Sequence, residues 1–167
     1  RVNSGIDDGV VIEEGESLAV VDSSMNLVGR VIETLDNESK ILPLLHEGFV
    51  VSGKSNEVNG ITVTVSGDAS LKQEGLCLVT GIGADDVLLV GTEIVTSGDG
   101  GLFPQGIPIG VIESVDYSNP LNITATLRPY TLIGDIKDVF IMIPFEATEP
   151  DETTVDVTSE ETVAEGQ

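Results

Sequence analysis

The sequence predicts an all-β protein of two small barrels, each of about six strands, followed by a disordered acidic tail. Three observations predict it. Apolar and polar residues alternate with the period of two that a half-buried strand requires. Turn-forming pairs recur at roughly 8–12-residue intervals, the spacing of sandwiches and barrels. Before the tail, no segment sustains an apolar face at the i, i+3, i+4, i+7 spacing of a helix. Composition agrees: 40% of residues are hydrophobic, only 4% are aromatic and there is no Trp. The core must therefore come mainly from Val, Ile and Leu, and the β-branched ones suit a pleated surface better than a helix.

In chain order, the candidate strands are 17–21, 28–35, 41–45, 49–52, 61–65, 76–80, 87–89, 94–96, 107–115, 121–128 and 139–143. Ile61-Thr62-Val63-Thr64-Val65 alternates strictly. Leu121-Asn122-Ile123-Thr124-Ala125-Thr126-Leu127-Arg128 does so too, with Leu121, Ile123, Ala125 and Leu127 expected to face inward. Asp8-Gly9, Glu14-Gly15, Asn59-Gly60, Ser66-Gly67-Asp68, Ser97-Gly98 and Ser118-Asn119-Pro120 supply turns between them. One helical turn is expected near 70–74. So many strands exceed one small barrel, and closing two barrels would hide the sheet edges. The expected division is a first barrel at 1–68, a second at 69–145 and a tail at 146–167. The tail carries Glu146, Glu149, Asp151, Glu152, Asp156, Glu160, Glu161 and Glu165 without a Lys or Arg, so like-charge repulsion opposes its ordering.

Charge removes whole classes of partner. The formal net charge is -22, and the seven basic residues are scattered singly. Nucleic acid needs a basic stripe to neutralise phosphates, and an anionic membrane surface is disfavoured for the same reason. Cys77 is the sole cysteine and sits in the apolar run Leu76-Cys77-Leu78-Val79, so it reads as a buried core residue. No apolar run approaches the ~20 residues that span a bilayer. With no signal peptide and no initial Met, the chain reads as a soluble region of a longer protein.

Catalytic chemistry is poorly supplied. Serine-nucleophile catalysis needs a His base oriented by a third group, and the one His, His46, stands in Leu45-His46-Glu47-Gly48 at a strand end. Ser97-Gly98-Asp99-Gly100-Gly101 superficially resembles the nucleophile loop of chymotrypsin-like proteases, but the Ser between Asp and Gly is missing. One His and one Cys do not make a zinc site, so no metal or cofactor is expected. Asp7-Asp8 and Asp85-Asp86 are adjacent pairs whose side chains diverge on a strand, and they read as solvated turn residues. Acidity alone keeps a Ca²⁺-dependent adhesion module as one alternative, and the protease-like turn keeps a hydrolase as another, least favoured one.

The unusual segment is 94–110, where Gly98, Gly100, Gly101, Gly106, Gly110, Pro104 and Pro108 break regular pairing around Leu102 and Phe103. Such bulk among breakers anchors a loop or meets a partner. Thr96, Ser97, Gly98, Leu102, Phe103, Pro104, Gly106, Ile107 and Gly110 are therefore the candidate structural or partner-binding residues.

Thr96-Ser97-Gly98-Asp99-Gly100-Gly101-Leu102-Phe103-Pro104-Gln105-Gly106-Ile107-Pro108-Ile109-Gly110 resembles the signature T-S-G-x-G-G-x-F-P-x-G-[IL]-x-[IV]-G of the rod shape-determining MreC family. Gly5-Ile6-Asp7-Asp8-Gly9-Val10 resembles that family's opening G-x-x-x-G-V turn, and Leu27-Val28-Gly29-Arg30-Val31 its L-V-G-R-V strand. The resemblance covers residues 3 to 145. It implies two barrels like those of chymotrypsin but without catalytic residues, with Arg30 a candidate contact between them. It further implies a region outside the membrane, tethered by a single N-terminal helix and a coiled coil. The implied function is non-catalytic organisation of lateral cell-wall synthesis. The implied partners are class B penicillin-binding proteins, MreD, RodA and, indirectly, the MreB cytoskeleton, with self-association into dimers or filaments. The family has strand material before the G-x-x-x-G-V turn, where this chain has only Arg1, Val2 and Asn3, so the first barrel is expected to be short at its start.

Overall fold

A computed structural model describes residues 1–13 and 16–144. Its strands are β1 (Leu18–Asp22), β2 (Leu27–Thr34), β3 (Ser39–Pro43), β4 (Val50–Ser55), β5 (Thr62–Ser66), β6 (Cys77–Ile82), β7 (Glu93–Thr96), β8 (Pro108–Asp116), β9 (Ile123–Pro129) and β10 (Val139–Ile141). Helix among the described residues is limited to short 3₁₀ turns, one of them Lys72–Glu74 within the expected helical turn. The all-β class follows directly from the alternation. In β5 and β9 the residues Val63, Val65, Ile123, Ala125 and Leu127 are buried while the Thr residues between them are less so.

Strands β4 to β9 close into a barrel in the order β4-β5-β6-β9-β8-β7, each neighbour antiparallel. Every barrel strand then has two partners, which removes the exposed edges that invite mispairing. The remaining strands form an open sheet in the order β10-β1-β2-β3.

Several expectations are corrected here. A four-stranded open sheet stands where a first barrel of about six strands was expected. The strands at 50–55 and 62–66, assigned above to the first unit, belong to the closed barrel, while β10 returns from the far end of the chain to pair with β1. Turn spacing reveals where strands stop; it carries no record of which distant strand each one pairs with. The segment 87–89 is not a strand, and only Leu88 of it is buried. Leu121 lies in the turn before β9 and is 96% exposed, because the inward alternation begins only at Ile123. The tail at 146–167 lies outside the described residues. At the start of the chain, Val2 and Ser39 exchange backbone hydrogen bonds of 3.0 Å in each direction, so these first residues do reach the edge of β3.

Strand β1 joins the two units. Leu18 and Val20 pack with Val10, Val28 and Val31 in the core of the open sheet. Ala19 and Val21, on the opposite face, join Leu27 and the barrel residues Phe49, Ile94, Ile109 and Leu127 in the main core. A bulge between Val20 and Val21 keeps Val21 opposite Leu27 on that inner face. Thr131, just beyond β9, donates a hydrogen bond to the Asp22 carboxylate at the end of β1 and ties the units a second time.

The barrel is packed closely enough that Gly110 has no room for a side chain: a Cβ there would lie 2.1 Å from the carbonyl oxygen of Arg128 on the paired strand. Gly110→Ala is expected to destabilise the protein by about 1–3 kcal/mol through overpacking. Gly134→Ala, where nothing lies within 4 Å, should be near neutral. Urea unfolding of both variants checks the contrast.

Candidate functional site

The glycine-rich signature turn connects β7 to β8 at the end of the barrel that faces the open sheet. Gly98, Gly100, Gly101 and Gly106 all have positive φ, between 69° and 89°, a region that side chains other than glycine's rarely enter. The turn therefore reverses direction sharply enough to carry Phe103 back over the barrel mouth.

Thr96 holds the two arms of the turn together. It is fully buried, and its Oγ1 donates to the Pro104 carbonyl at 2.6 Å while accepting from the Ile107 N–H at 2.8 Å. Its own N–H donates to the Ile107 carbonyl, and its carbonyl accepts from the Gly106 N–H, both at 2.9 Å. One side chain on the outgoing arm thus satisfies two polar groups of the returning arm, and a buried polar group without a partner would be costly. Ser97 donates its hydroxyl to Ser52 Oγ at 2.8 Å, fixing the turn to β4.

Phe103 is 6% exposed, and its ring meets that of Phe49 with centroids 5.9 Å apart and planes inclined at 55°. That tilted geometry is favoured by aromatic quadrupoles. Ile107 and Ile109 continue the same core. Leu102 stays partly exposed and, with Ser17, Leu18, Ala19, Phe103 and Met142, lines a groove of about 410 Å³ between turn and open sheet. Gly110, on β8, permits the close strand approach described above. The structure therefore brings Thr96, Ser97, Gly98, Leu102, Phe103, Pro104, Gly106 and Ile107 into one folded turn, with its large aromatic group turned inward.

Arg30 lies apart from the turn. It pairs with Ala19 on one side and Leu42 on the other, residues whose side chains pack with the barrel core, so it occupies the sheet face turned toward the barrel. Its Nε is buried without a hydrogen-bond partner among the described residues.

No reaction centre assembles among the described residues. His46 is exposed at a turn, where its Nδ1 accepts from the Gly48 N–H at 3.0 Å. The Ser97 hydroxyl is engaged by another serine rather than a base. Burial pushes the Cys77 thiol up to about 12, which keeps it protonated and a poor nucleophile. Asp86 accepts the Gly83 N–H at 2.9 Å, as a turn-stabilising aspartate does. Among the described residues, no group of three or more His, Cys, Asp or Glu is placed to hold a metal ion.

Sequence reasoning missed Tyr117. Its hydroxyl donates to the Leu88 carbonyl at 2.8 Å and accepts from the Leu88 N–H at 3.0 Å, clamping the 83–92 connection to the β8–β9 turn. A tyrosine within the turn sequence Asp116-Tyr117-Ser118-Asn119-Pro120 was the available signal.

The family model described as "Rod shape-determining protein MreC, barrel core" matches residues 1–143. The cell shape-determining protein MreC of Escherichia coli (strain K12) is 30% identical over 139 residues, covering 79% of this chain and 34% of that protein. The chain thus spans about a third of that relative's length. A structure of MreC from Listeria monocytogenes superposes with a TM-score of 0.70 at 29% identity, covering 83% of this chain and 64% of that one. A structure described as a complex between Penicillin-Binding Protein (PBP2) and MreC from Helicobacter pylori gives a TM-score of 0.65 at 18% identity, with 79% and 80% covered.

Phe103→Ala is expected to cost about 3–5 kcal/mol in unfolding free energy, because it empties a site in the barrel core. Thr96→Val should cost about 1–3 kcal/mol by stranding the Ile107 N–H and the Pro104 carbonyl. Denaturant titrations followed by circular dichroism measure both; a Phe103→Ala protein as stable as wild type would place that ring outside the load it is assigned.

Proposed function

Because this chain belongs to the rod shape-determining protein MreC family, we propose that it is a non-catalytic scaffold for lateral cell-wall synthesis and rod shape. It works through surface complementarity with wall-synthesis proteins rather than through bond chemistry. The observation that carries this reading is the fate of the signature turn. Its positive-φ glycines, Thr96 and Phe103 are used to lock the barrel mouth, and no nucleophile, base or metal cluster gathers around them among the described residues. The protease-like turn is a joint.

The partners proposed are class B penicillin-binding proteins first, supported by the complex described for the Helicobacter pylori relative. MreD, RodA and, indirectly, MreB follow as members of the same assembly. In the cell the region would sit outside the membrane on an N-terminal anchor, and self-association into dimers or filaments would multiply weak contacts by raising effective concentration. Arg30, on the sheet face turned to the barrel, would hold the two units in register.

The test is a pull-down by the purified chain of a class B penicillin-binding protein from the same organism, with and without residues 146–167. Retention of the enzyme by both forms is the expected result, together with no turnover in a broad hydrolase assay. Failure to retain any class B enzyme, or robust hydrolysis abolished by substituting His46 or Ser97, would overturn the scaffold reading.

A further inference from the structure

The closed barrel has two unlike ends. Strands β4, β6 and β8 run toward one end, and β5, β7 and β9 run away from it, because every neighbouring pair is antiparallel. The connections 56–61, 83–92 and 117–122 therefore all lie at one end. The signature turn and the links to the open sheet lie at the other.

The far end is unusually apolar for a chain of this charge. Val58 is 101% exposed, Leu121 96%, Val87 74%, Val90 66%, Leu89 64% and Tyr117 46%. Single exposed apolar residues are ordinary; six of them on three connections at one barrel end form a patch of the kind that marks an interaction site. The patch is also held in place. Leu88 is buried in the core between exposed neighbours, and Tyr117 hydrogen-bonds both its N–H and its carbonyl. Asn119 Oδ1 accepts from the Leu121 N–H at 3.1 Å, and Asp86 accepts from the Gly83 N–H at 2.9 Å. Loops already ordered lose little conformational freedom on binding.

The charge around the patch selects the occupant. Glu57, Asp85 and Asp86 lie on these connections and Asp116 at their margin, while the three connections contain no Lys or Arg. A second copy of the chain would bring the same acids to the contact, and an anionic bilayer would be repelled for the same reason. An apolar surface bordered by cations complements it.

We propose that the barrel end formed by 56–61, 83–92 and 117–122 docks a partner protein whose contact surface is apolar at its centre and edged with Lys or Arg. This rests on the scaffold reading above and adds the location and the chemistry of the contact.

The test measures binding of the full chain to the purified extracytoplasmic part of a class B penicillin-binding protein by biolayer interferometry, across a range of NaCl concentrations. A combined Val58→Ser, Val90→Ser, Leu121→Ser variant should bind about tenfold or more weakly, as loss of interface anchors does, with an unchanged melting temperature. Glu57→Gln with Asp85→Asn, which leaves the apolar groups intact, should flatten the salt dependence; this variant decides the matter should the serine variant fold poorly. Ile32→Ser, on the open sheet, should bind as wild type does. Wild-type affinity in both far-end variants overturns the proposed location and leaves the scaffold reading standing, whereas no binding by the wild-type chain at any salt concentration overturns both. A concentration-dependent dimer that only the serine variant abolishes assigns the face to a second copy and also overturns the proposal.

Discussion

Strand β1 is buried on both faces, and the rest of the molecule is arranged around that constraint. Leu18 and Val20 are committed to one core, Ala19 and Val21 to another. A strand used this way cannot slip by one residue, because a slip exchanges its two faces. Each fully buried Val or Leu contributes about 1.5–3 kcal/mol, so displacing β1 would expose apolar surface in both units at once. The open sheet and the barrel consequently behave as one packed body, and the Thr131–Asp22 hydrogen bond at the end of β1 reinforces the joint.

Around that joint, the signature turn solves a local problem of access. The barrel mouth nearest the sheet needs a large apolar group over it, yet the chain there must reverse between two antiparallel strands. Four glycines at positive φ make the reversal, Thr96 satisfies the polar groups this leaves inside, and Phe103 covers Phe49. The same residues that look like a reaction centre in one dimension are occupied with closing the fold in three. On the surface, by contrast, acids outnumber bases and aliphatic groups collect at the barrel's other end.

Much of this was legible beforehand in particular residues. The strict alternation of 61–65 and, from Ile123 onward, of 121–128 marks real strands and their buried faces, and Cys77 is legible as a core residue. The glycines and prolines of 96–110 mark that turn as a break in regular pairing. What misled was local continuity. Leu121 extends the alternating pattern on paper but belongs to the preceding turn, and Val87-Leu88-Leu89 looks like a strand although only Leu88 is buried. Tyr117, which enforces that arrangement, gave no signal beyond being a tyrosine in a turn.

The sequence by itself determined the all-β class, most strand positions and the strongly acidic charge balance, because these follow from composition and from periodicity over a few residues. Only the tertiary structure decided that six strands close while four stay open, that β4 and β5 join the barrel, and that β10 returns to β1. It also decided that Phe103 turns inward and that three separate connections present their aliphatic side chains at one end. Those outcomes depend on pairing between distant segments, whose energy lies in packing and register across the whole fold rather than in any local run of residues.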